Sequence, residues 1–291
     1  MPINDPRPPR PHDGPASLVT SLRSPRVAAA RRLAKRAFRT ADRRFLAEGP
    51  QAVREALACT PDRVVEVLVT DELAGRLPEL VAAAREADVP VTRVSGEVLA
   101  SVAQTVTPQG ILAVCGFVDR PLEQALAPQP RLVAVLANVR DPGNAGTVLR
   151  AADAAGADAV VLTDASVDVY NGKCVRATAG SLFHLPVVAG VPAPDAVTAL
   201  RASGLRVVAA DGKGRDLDAA DRAGDLDAPT AWVFGNEAWG LPDALLELVD
   251  DVLAVPIHGR AESLNLATAA AVCLYASARA QRAVPSASAD S

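Results

Sequence analysis

The sequence predicts an α/β protein with two units: a C-terminal α/β domain built on a parallel sheet, and a smaller N-terminal α/β domain. Three observations favour this class. Strand-like segments rich in Val, Leu and Ala alternate with segments of helical periodicity along most of the 291 residues. In the C-terminal part the strands are apolar throughout, which is typical of a parallel sheet covered by helices on both faces. Hydrophobic residues make up 49% of the chain, which is enough to bury a core in each unit.

The N-terminal unit is predicted to span residues 21–117, after a Pro-rich stretch at 1–20 that we expect to be a disordered tail. A helix is expected where apolar residues recur at helical spacing, and a strand where β-branched residues cluster. In chain order these patterns predict a helix over 26–39, a strand over 44–50, a helix over 51–59, a strand over 63–70, a helix over 79–89, and strands over 91–95 and 110–118.

A linker with a helical turn is expected over 118–131, because this segment carries three prolines. The C-terminal unit then spans 132–283, and residues 284–291 are expected to be a flexible tail. Its predicted strands cover 132–139, 158–164, 185–190, 206–211, 231–237 and 251–257, and its predicted helices cover 147–157, 173–183, 194–204, 242–250 and 263–282. The last helix is apolar nearly all round from Leu264 to Ala276, so we expect burial on more than one side, as a subunit interface would provide.

Charge is distributed unevenly along the chain. The net charge is −4, yet residues 1–60 carry 12 Lys and Arg against 5 Asp and Glu, a net charge of +7, which leaves −11 for residues 61–291. Between residues 23 and 44, nine cationic side chains face one acidic side chain, Asp42. Cations at this density attract phosphate backbones. On charge alone, a solvated helix face is an equally good interpretation.

Several function classes are disfavoured by what the sequence lacks. No apolar run is long enough to cross a membrane, and no signal peptide is expected at the N-terminus. The four cysteines are scattered without a CxxC pair, which argues against a zinc site or a disulfide framework and favours a reducing cytoplasm. A Walker loop and a GxSxG elbow are also missing, so we expect chemistry without a metal and without a covalent nucleophile.

The first of three polar segments, residues 138–150, follows a predicted strand at the sheet edge where parallel sheets bind ligands. Gly143 and Gly146 would let the backbone turn from strand to helix. Asn144 offers an amide at that turn, and Arg150 can reach back over the strand ends. A dinucleotide-binding turn is the nearest alternative, but the spacing GNAG is not GxGxxG. An ordinary loop in which Arg150 caps a helix also stays open.

The second polar segment, residues 234–242, places two glycines around a carboxylate and an indole in a short loop between a strand and a helix. Gly235 permits close approach of a ligand to the backbone. Trp239 could stack on a nucleobase. In the alternative interpretation, Trp239 fills the core and Glu237 caps the next helix.

The third polar segment, residues 255–266, follows the last predicted strand. Ser263 lies where it could N-cap the long apolar helix, which on its own is a commoner role for such a serine than catalysis. Asn265 lies in the first turn of that helix, where a buried amide needs hydrogen-bond partners.

Taken in order, these segments resemble the SpoU/TrmH family of RNA ribose 2′-O-methyltransferases. The blocks that carry the resemblance are NVRDPGNAGTVLRAADAAGAD at 138–158, VDVYNGKCVRATAGSLFHLPV at 167–187, VFGNEAWGLP at 233–242 and VPIHGRAESLNLATAAAVCLYA at 255–276. Residues 21–117, with FLAEGPQAVREAL and TPQGILAV, are similar to the small substrate-binding domain of larger members. The resemblance spans about 21–283.

The resemblance implies a SPOUT-like C-terminal α/β domain with a deep trefoil knot, and a smaller N-terminal α/β domain similar to ribosomal protein L30e. It implies that S-adenosyl-L-methionine binds in the knotted loops, that a homodimer forms through the knotted domain, and that a methyl group passes to a ribose 2′-hydroxyl of RNA. Carried over by motif, the catalytic or site-forming positions are Asn144, Arg150, Glu237, Ser263 and Asn265. The cofactor-facing positions are Ala210, Gly235, Val255, Ile257 and Leu264.

The N-terminal domain and the basic stretch favour 23S ribosomal RNA as the substrate, with phosphate contacts expected from Arg31, Arg32, Arg36 and Arg39. Because a guanidinium holds its proton tightly, we expect Arg150 to stabilise the developing alkoxide rather than to act as a general base. A tRNA ribose methyltransferase and a non-catalytic RNA-binding protein remain as alternatives. A dinucleotide-dependent oxidoreductase is a third alternative, from another class.

Overall fold

The computed structural model of the chain describes residues 18–127, 129–236 and 239–283. Contacts divide the chain into two compact units, one ending at Phe117 and the other beginning at Val118. None of the helices among the described residues combines the length and apolar character needed to span a membrane. The two predicted tails lie outside the described residues, apart from positions 18–20.

The first unit is built around a four-stranded mixed sheet. Its strands are β1 (Arg44–Glu48), β2 (Val64–Val69), β3 (Val91–Arg93) and β4 (Ile111–Gly116). They lie in the order β1-β4-β2-β3, with β4 antiparallel to both β1 and β2, and β2 parallel to β3. The helices are α1 (Pro25–Arg32), α2 (Arg36–Asp42), α3 (Pro50–Cys59), α4 (Asp71–Arg76), α5 (Pro78–Glu86) and α6 (Gly96–Val102).

The first helical segment differs from the prediction, because α1 and α2 replace the single helix expected over 26–39. The chain turns between them at residues 33–35. There the guanidinium of Arg39 donates from Nη1 to the carbonyl oxygens of Leu33, at 2.9 Å, and Ala34, at 2.8 Å. These bonds satisfy carbonyls that the end of a helix leaves unpaired. Arg39 is 3% exposed, so it stabilises the corner from inside the unit.

The second unit is built around a six-stranded sheet. Its strands are β5 (Leu132–Leu136), β6 (Ala159–Thr163), β7 (Val187–Val191), β8 (Arg206–Asp216), β9 (Thr230–Phe234) and β10 (Asp251–Ala254). They lie in the order β10-β8-β9-β5-β6-β7, and every adjacent pair is parallel, which confirms the predicted α/β class with a parallel sheet. The helices are α7 (Leu122–Ala125), α8 (Pro142–Ala155), α9 (Gly172–Thr178), α10 (Ala193–Ala202), α11 (Leu217–Arg222), α12 (Asp243–Leu246) and α13 (Leu266–Ala283).

Several boundaries in this unit differ from the predicted ones. The expected linker is part of the core, since Leu122, Ala125 and Leu126 are buried with the sheet. The helix expected over 173–183 ends at Thr178, because Ala179 takes a positive φ of 50° and Gly180 one of 105°. The helix expected over 242–250 is a single short turn, α12.

The last helix, α13, packs along one face of the sheet and contacts α8, β5 and β9. Its inward side chains include Ser277, whose Oγ accepts a hydrogen bond of 2.9 Å from Nε1 of the buried Trp232. Val272 and Tyr275 on the same helix are 40% and 50% exposed. We expected α13 to be buried on more than one side. Within one chain, the side that carries Val272 and Tyr275 is still exposed.

Candidate active site

The first two polar segments follow neighbouring strands, β5 and β9, and the third follows β10, which β8 separates from β9. Leu136 at the end of β5 is the register partner of Phe234 at the end of β9, and Phe234 is also the partner of Ala210 on β8. The strands are parallel, so the turns that follow them begin at one edge of the sheet. This carboxyl edge is where open α/β sheets bind ligands.

The first segment is fixed at the start of α8 by Asp141. Its Oδ1 accepts a hydrogen bond of 2.8 Å from the backbone N–H of Asn144, which caps the helix. Its Oδ2 lies 2.7 Å from Nζ of Lys173 on α9. The hydrogen bond from Lys173, followed by that from Asn144, holds the pKa of Asp141 below its usual value. The two helix N-termini are thus joined beside Asn144.

Gly146 has a different role from the predicted one. It does not form the strand-to-helix turn but lies inside α8, against α9. A Cβ at this position would lie 2.7 Å from Cβ of Ala177, and it would be closer still to the carbonyl oxygen of Cys174. Only glycine lets the two helices approach this closely.

The third segment meets the first through an amide pair. Nδ2 of Asn265 donates a hydrogen bond of 3.1 Å to Oδ1 of Asn144. The oxygen of the Asn265 amide accepts from the backbone N–H of Ala267 at 2.9 Å, so Asn265 caps α13. The N-cap role considered for Ser263 is therefore wrong, because α13 begins only at Leu266. Ser263 is exposed in the loop before it.

The second segment meets the first through Asn236, a residue that the sequence interpretation did not single out. Its Nδ2 donates to the backbone oxygen of Asn138 at 3.3 Å, and the side chain is buried. Reciprocal backbone hydrogen bonds of 3.1 and 2.8 Å between Asn236 and Gly240 close the loop. The signal that could have revealed Asn236 is an amide directly after an apolar strand and a glycine.

The aromatic candidate of this loop, Trp239, is described by the structure, whereas the acidic candidate, Glu237, is not. Trp239 is 71% exposed, so the alternative that it fills the core is wrong. Glu237 lies outside the described residues. Gly235 is buried, and a Cβ there would lie 2.7 Å from the carbonyl carbon of Gly240, so the loop requires a residue without a side chain.

Arg150 lies in the second half of α8, on the same stripe as Gly143 and Gly146, at spacings i, i+3 and i+7. Its side chain is exposed, and it forms no hydrogen bond or ion pair with the described residues. The guanidinium is therefore open to a ligand.

Of the remaining site candidates, Ala210 lies within β8, and Val255, Ile257 and Leu264 lie in the loop between β10 and α13. Ala210, Val255 and Leu264 are half-buried, and Ile257 is exposed in the loop that leads to α13. Of the four arginines expected to contact RNA, Arg31, Arg32 and Arg36 are exposed. The expectation for Arg39 is wrong, because its buried guanidinium is bonded to the end of α1.

Two family models match the chain. The SpoU rRNA Methylase family model matches residues 131–275, in the second unit. A model described as RNA 2′-O ribose methyltransferase substrate binding matches residues 46–121, nearly all in the first unit.

Individual relatives are similar over almost the whole chain. A Bacillus subtilis (strain 168) protein named 23S rRNA (guanosine(2553)-2′-O)-methyltransferase RlmP is 39% identical over 257 residues, which is 88% of this chain and 97% of the relative. The AdoMet-bound rRNA methyltransferase structure from Sinorhizobium meliloti has a TM-score of 0.79 at 31% identity, covering 93% of this chain and 99% of that one. The SpoU methyltransferase AviRb from Streptomyces viridochromogenes, in complex with AdoMet, has a TM-score of 0.76 at 31% identity and covers 89% and 100% of the two chains.

These similarities define the class of protein: an RNA 2′-O-methyltransferase that uses S-adenosylmethionine as its methyl donor. The chain belongs to the SpoU rRNA methylase family. The predicted family, reaction and cofactor are confirmed.

Proposed function

We propose that the enzyme methylates a ribose 2′-hydroxyl of 23S ribosomal RNA. The observation that carries this proposal is the similarity to the Bacillus subtilis relative, whose name specifies the 2′-O position of a guanosine in 23S rRNA. That similarity extends over 97% of the relative, so it includes the substrate-binding unit as well as the methylase unit.

We assign the S-adenosylmethionine contacts to Ala210, Gly235, Val255, Ile257 and Leu264. These residues fit an adenosyl group, because they are uncharged and small or apolar. Ala210 is the register partner of Phe234, the last residue of β9, so it lies beside Gly235 where β9 ends.

The sulfonium of bound S-adenosylmethionine supplies an electrophilic methyl group. The residues of the chain have to position a ribose hydroxyl in line with it and stabilise the negative charge that develops on the oxygen. We assign this stabilisation to Arg150, whose exposed guanidinium has no partner among the described residues. Asn144 and Asn265 hold the first and third segments together. We assign Glu237 to fixing Arg150 or the ribose, and Ser263, with Asn265, to positioning the loop and the substrate.

We assign the RNA contacts of the first unit to Arg31, Arg32 and Arg36. All three are exposed on the α1–α2 helix pair. The charges of Arg31 and Arg36 favour RNA through release of counterions, independent of the base sequence, whereas the charge of Arg32 is paired with Asp42.

The finer architecture is also a proposal: a trefoil knot in residues 132–283, a fold similar to ribosomal protein L30e in residues 21–117, and a homodimer. One feature supports the knot and another supports the homodimer. β10 is an edge strand, yet the helix that follows it, α13, contacts β9, β5 and α8 nearer the sheet centre, so the chain crosses back over the strand ends. The exposed Val272 and Tyr275 on α13 give the second subunit an apolar surface. A ribosomal RNA substrate makes the cytoplasm the expected compartment.

Transfer of a labelled methyl group from S-adenosylmethionine tests the proposed substrate. The acceptors are 23S rRNA, 16S rRNA and total tRNA, each prepared without prior modification by this enzyme, and the modified ribose is mapped by resistance to alkaline cleavage. We expect label in 23S rRNA, and none with the Arg150→Ala variant. Label confined to tRNA would contradict the proposed substrate, and no label in any RNA would favour a non-catalytic RNA-binding role.

A further inference from the structure

An exposed aromatic ring lies within the basic surface of the first unit. Phe38, on α2, is 39% exposed. The guanidinium of Arg32, on α1, lies over this ring, with its central carbon 5.3 Å from the ring centroid. This distance is that of a cation–π contact. The two helices therefore present an aromatic ring and a planar cation together.

Both members of this pair are held in position by neighbouring groups. Asp42 accepts hydrogen bonds from Arg32, at 3.1 Å from Nε and 2.7 Å from Nη2, and so fixes the plane of the guanidinium. Phe38 directly precedes Arg39, whose buried side chain is bonded to the end of α1. The ring is thus preorganised, and a ligand loses little affinity to ordering it.

Exposed cations lie on the same two helices and in the turn between them. Arg31, Lys35 and Arg36 are exposed, and their side chains make no hydrogen bond or ion pair within the described part of the chain. Arg32 differs from them, since its charge is paired with Asp42. Free cations and an exposed aromatic ring on one helix pair match the two components of a nucleotide, which are a phosphate and a base with an accessible face.

We propose that Phe38 and Arg32 form a stacking platform for an unpaired nucleobase of the RNA substrate. This inference rests on the proposed function, which supplies the RNA. The base has to be unpaired, because a base inside an A-form helix is already stacked on both faces. The platform therefore selects a loop, a bulge or a single strand, while Arg31, Lys35 and Arg36 bind the adjacent phosphates. The helix pair lies outside the residues 46–121 that the substrate-binding family model matches, so it adds a contact to that module.

The proposal is tested by measuring the affinity of the full-length protein for two RNAs over a range of salt concentrations. One is a single-stranded oligoribonucleotide, and the other is a fully paired duplex of the same sequence. We expect Phe38→Ala to weaken binding of the single strand by about 5- to 150-fold, the range for loss of one base–aromatic stack. The salt dependence and the duplex affinity should stay unchanged, because no charge is removed. Phe38→Tyr, which keeps the ring, should bind as the unmodified protein does.

Two further variants separate stacking from charge and from general loss of apolar surface. Arg31→Ala combined with Arg36→Ala should reduce the salt slope for the single strand by about 1.4, or about 0.7 per lost phosphate contact. Val106→Ala removes an apolar side chain that is 99% exposed in the same unit but lies outside the basic stretch, and it should leave the affinity unchanged. Thermal unfolding of each variant confirms that it folds.

The outcomes distinguish this inference from the proposed function. If Phe38→Ala binds the single strand normally while the double arginine variant binds it weakly, the surface binds RNA but the platform is wrong. Equal weakening for single strand and duplex would also overturn it. Failure of the proposed function has another signature, the absence of methyl transfer to 23S rRNA by the unmodified protein.

Discussion

Asn265 donates a hydrogen bond of 3.1 Å to Asn144, and this contact joins the start of α13 to the start of α8 across 121 positions of sequence. The same amide accepts from the backbone of Ala267 with its oxygen. One side chain therefore uses its oxygen to cap a helix and its nitrogen to hold two parts of the site together. The two roles can be separated by substitution.

We expect Asn265→Ser to keep the helix cap and lose the contact with Asn144. Serine caps a helix about as well as asparagine, but its hydroxyl is too short to reach across. The melting temperature should change little, while methyl transfer falls. Asn265→Ala should lose both roles and cost about 1 kcal/mol in the free energy of unfolding as well. Chemical denaturation measures the change in the free energy of unfolding, and single-turnover rates measure the change in methyl transfer. Equal rates for Asn265→Ser and the unmodified protein would show that the contact with Asn144 is not needed for the reaction.

We expect Arg150→Ala to lower the rate of methyl transfer by about 100-fold or more, the effect of removing one electrostatic stabiliser of a developing anion. The affinity for S-adenosylmethionine, measured by calorimetry, should stay near normal. Stability should change by less than about 0.5 kcal/mol, because the side chain is exposed and has no partner among the described residues. A variant that keeps most of its single-turnover rate would exclude Arg150 from the reaction.

We expect Gly146→Ala to destabilise the second unit by about 1–3 kcal/mol, since the added Cβ meets Cys174 and Ala177 of α9 and forces the helices apart. Gly75→Ala is the matched control. Gly75 is also a helical glycine, in α4, but a Cβ there has nothing within 4 Å. That substitution should be neutral or stabilising by up to about 1 kcal/mol. A neutral Gly146→Ala, measured by thermal unfolding, would contradict the tight helix packing.

Asp141 gives a prediction about pH. Its pKa is lowered in the folded protein, chiefly by the hydrogen bond from Lys173, so its contribution to stability is present above the unfolded pKa of about 3.9 and is lost as pH falls through the lower folded value. Asp141→Asn keeps a capping oxygen but loses the ion pair. Because the carboxylate is 42% exposed, the stability gap at pH 7 should be less than about 1 kcal/mol and should close at low pH. A gap that does not change between pH 7 and pH 3 would contradict this assignment.

The parallel sheet was predictable because its strands are apolar runs separated by helical periodicity, and these signals are local. The small helices α4 and α6 were not predicted, since six or seven residues carry too little periodicity. Their starts are marked by side-chain caps. The backbone N–H of Leu73 donates to Oγ1 of Thr70 at 3.3 Å, and that of Val98 donates to Oγ of Ser95 at 3.2 Å.

The roles of some site residues were predicted wrongly for a shared physical reason. The role of each depends on a packing partner distant in sequence or on the exact residue at which a helix ends. In the sequence, Arg39 lies in a run of cations that we expected to be exposed. It is buried because the chain turns at 33–35. Gly146 looked like a turn residue because its packing partner, α9, lies some thirty positions further on. The motif resemblance named Asn144 and Asn265, but only the structure brings their amides into contact.

The bonds that join the three polar segments, Asn265 to Asn144 and Asn236 to Asn138, are made by amide side chains. Amides neither gain nor lose a proton over the range in which enzymes are assayed. These two contacts are therefore indifferent to acidity, and the titrating support of the first segment is Asp141, whose pKa is lowered. A change of turnover with pH well above the range in which Asp141 is protonated would not come from the loss of these contacts.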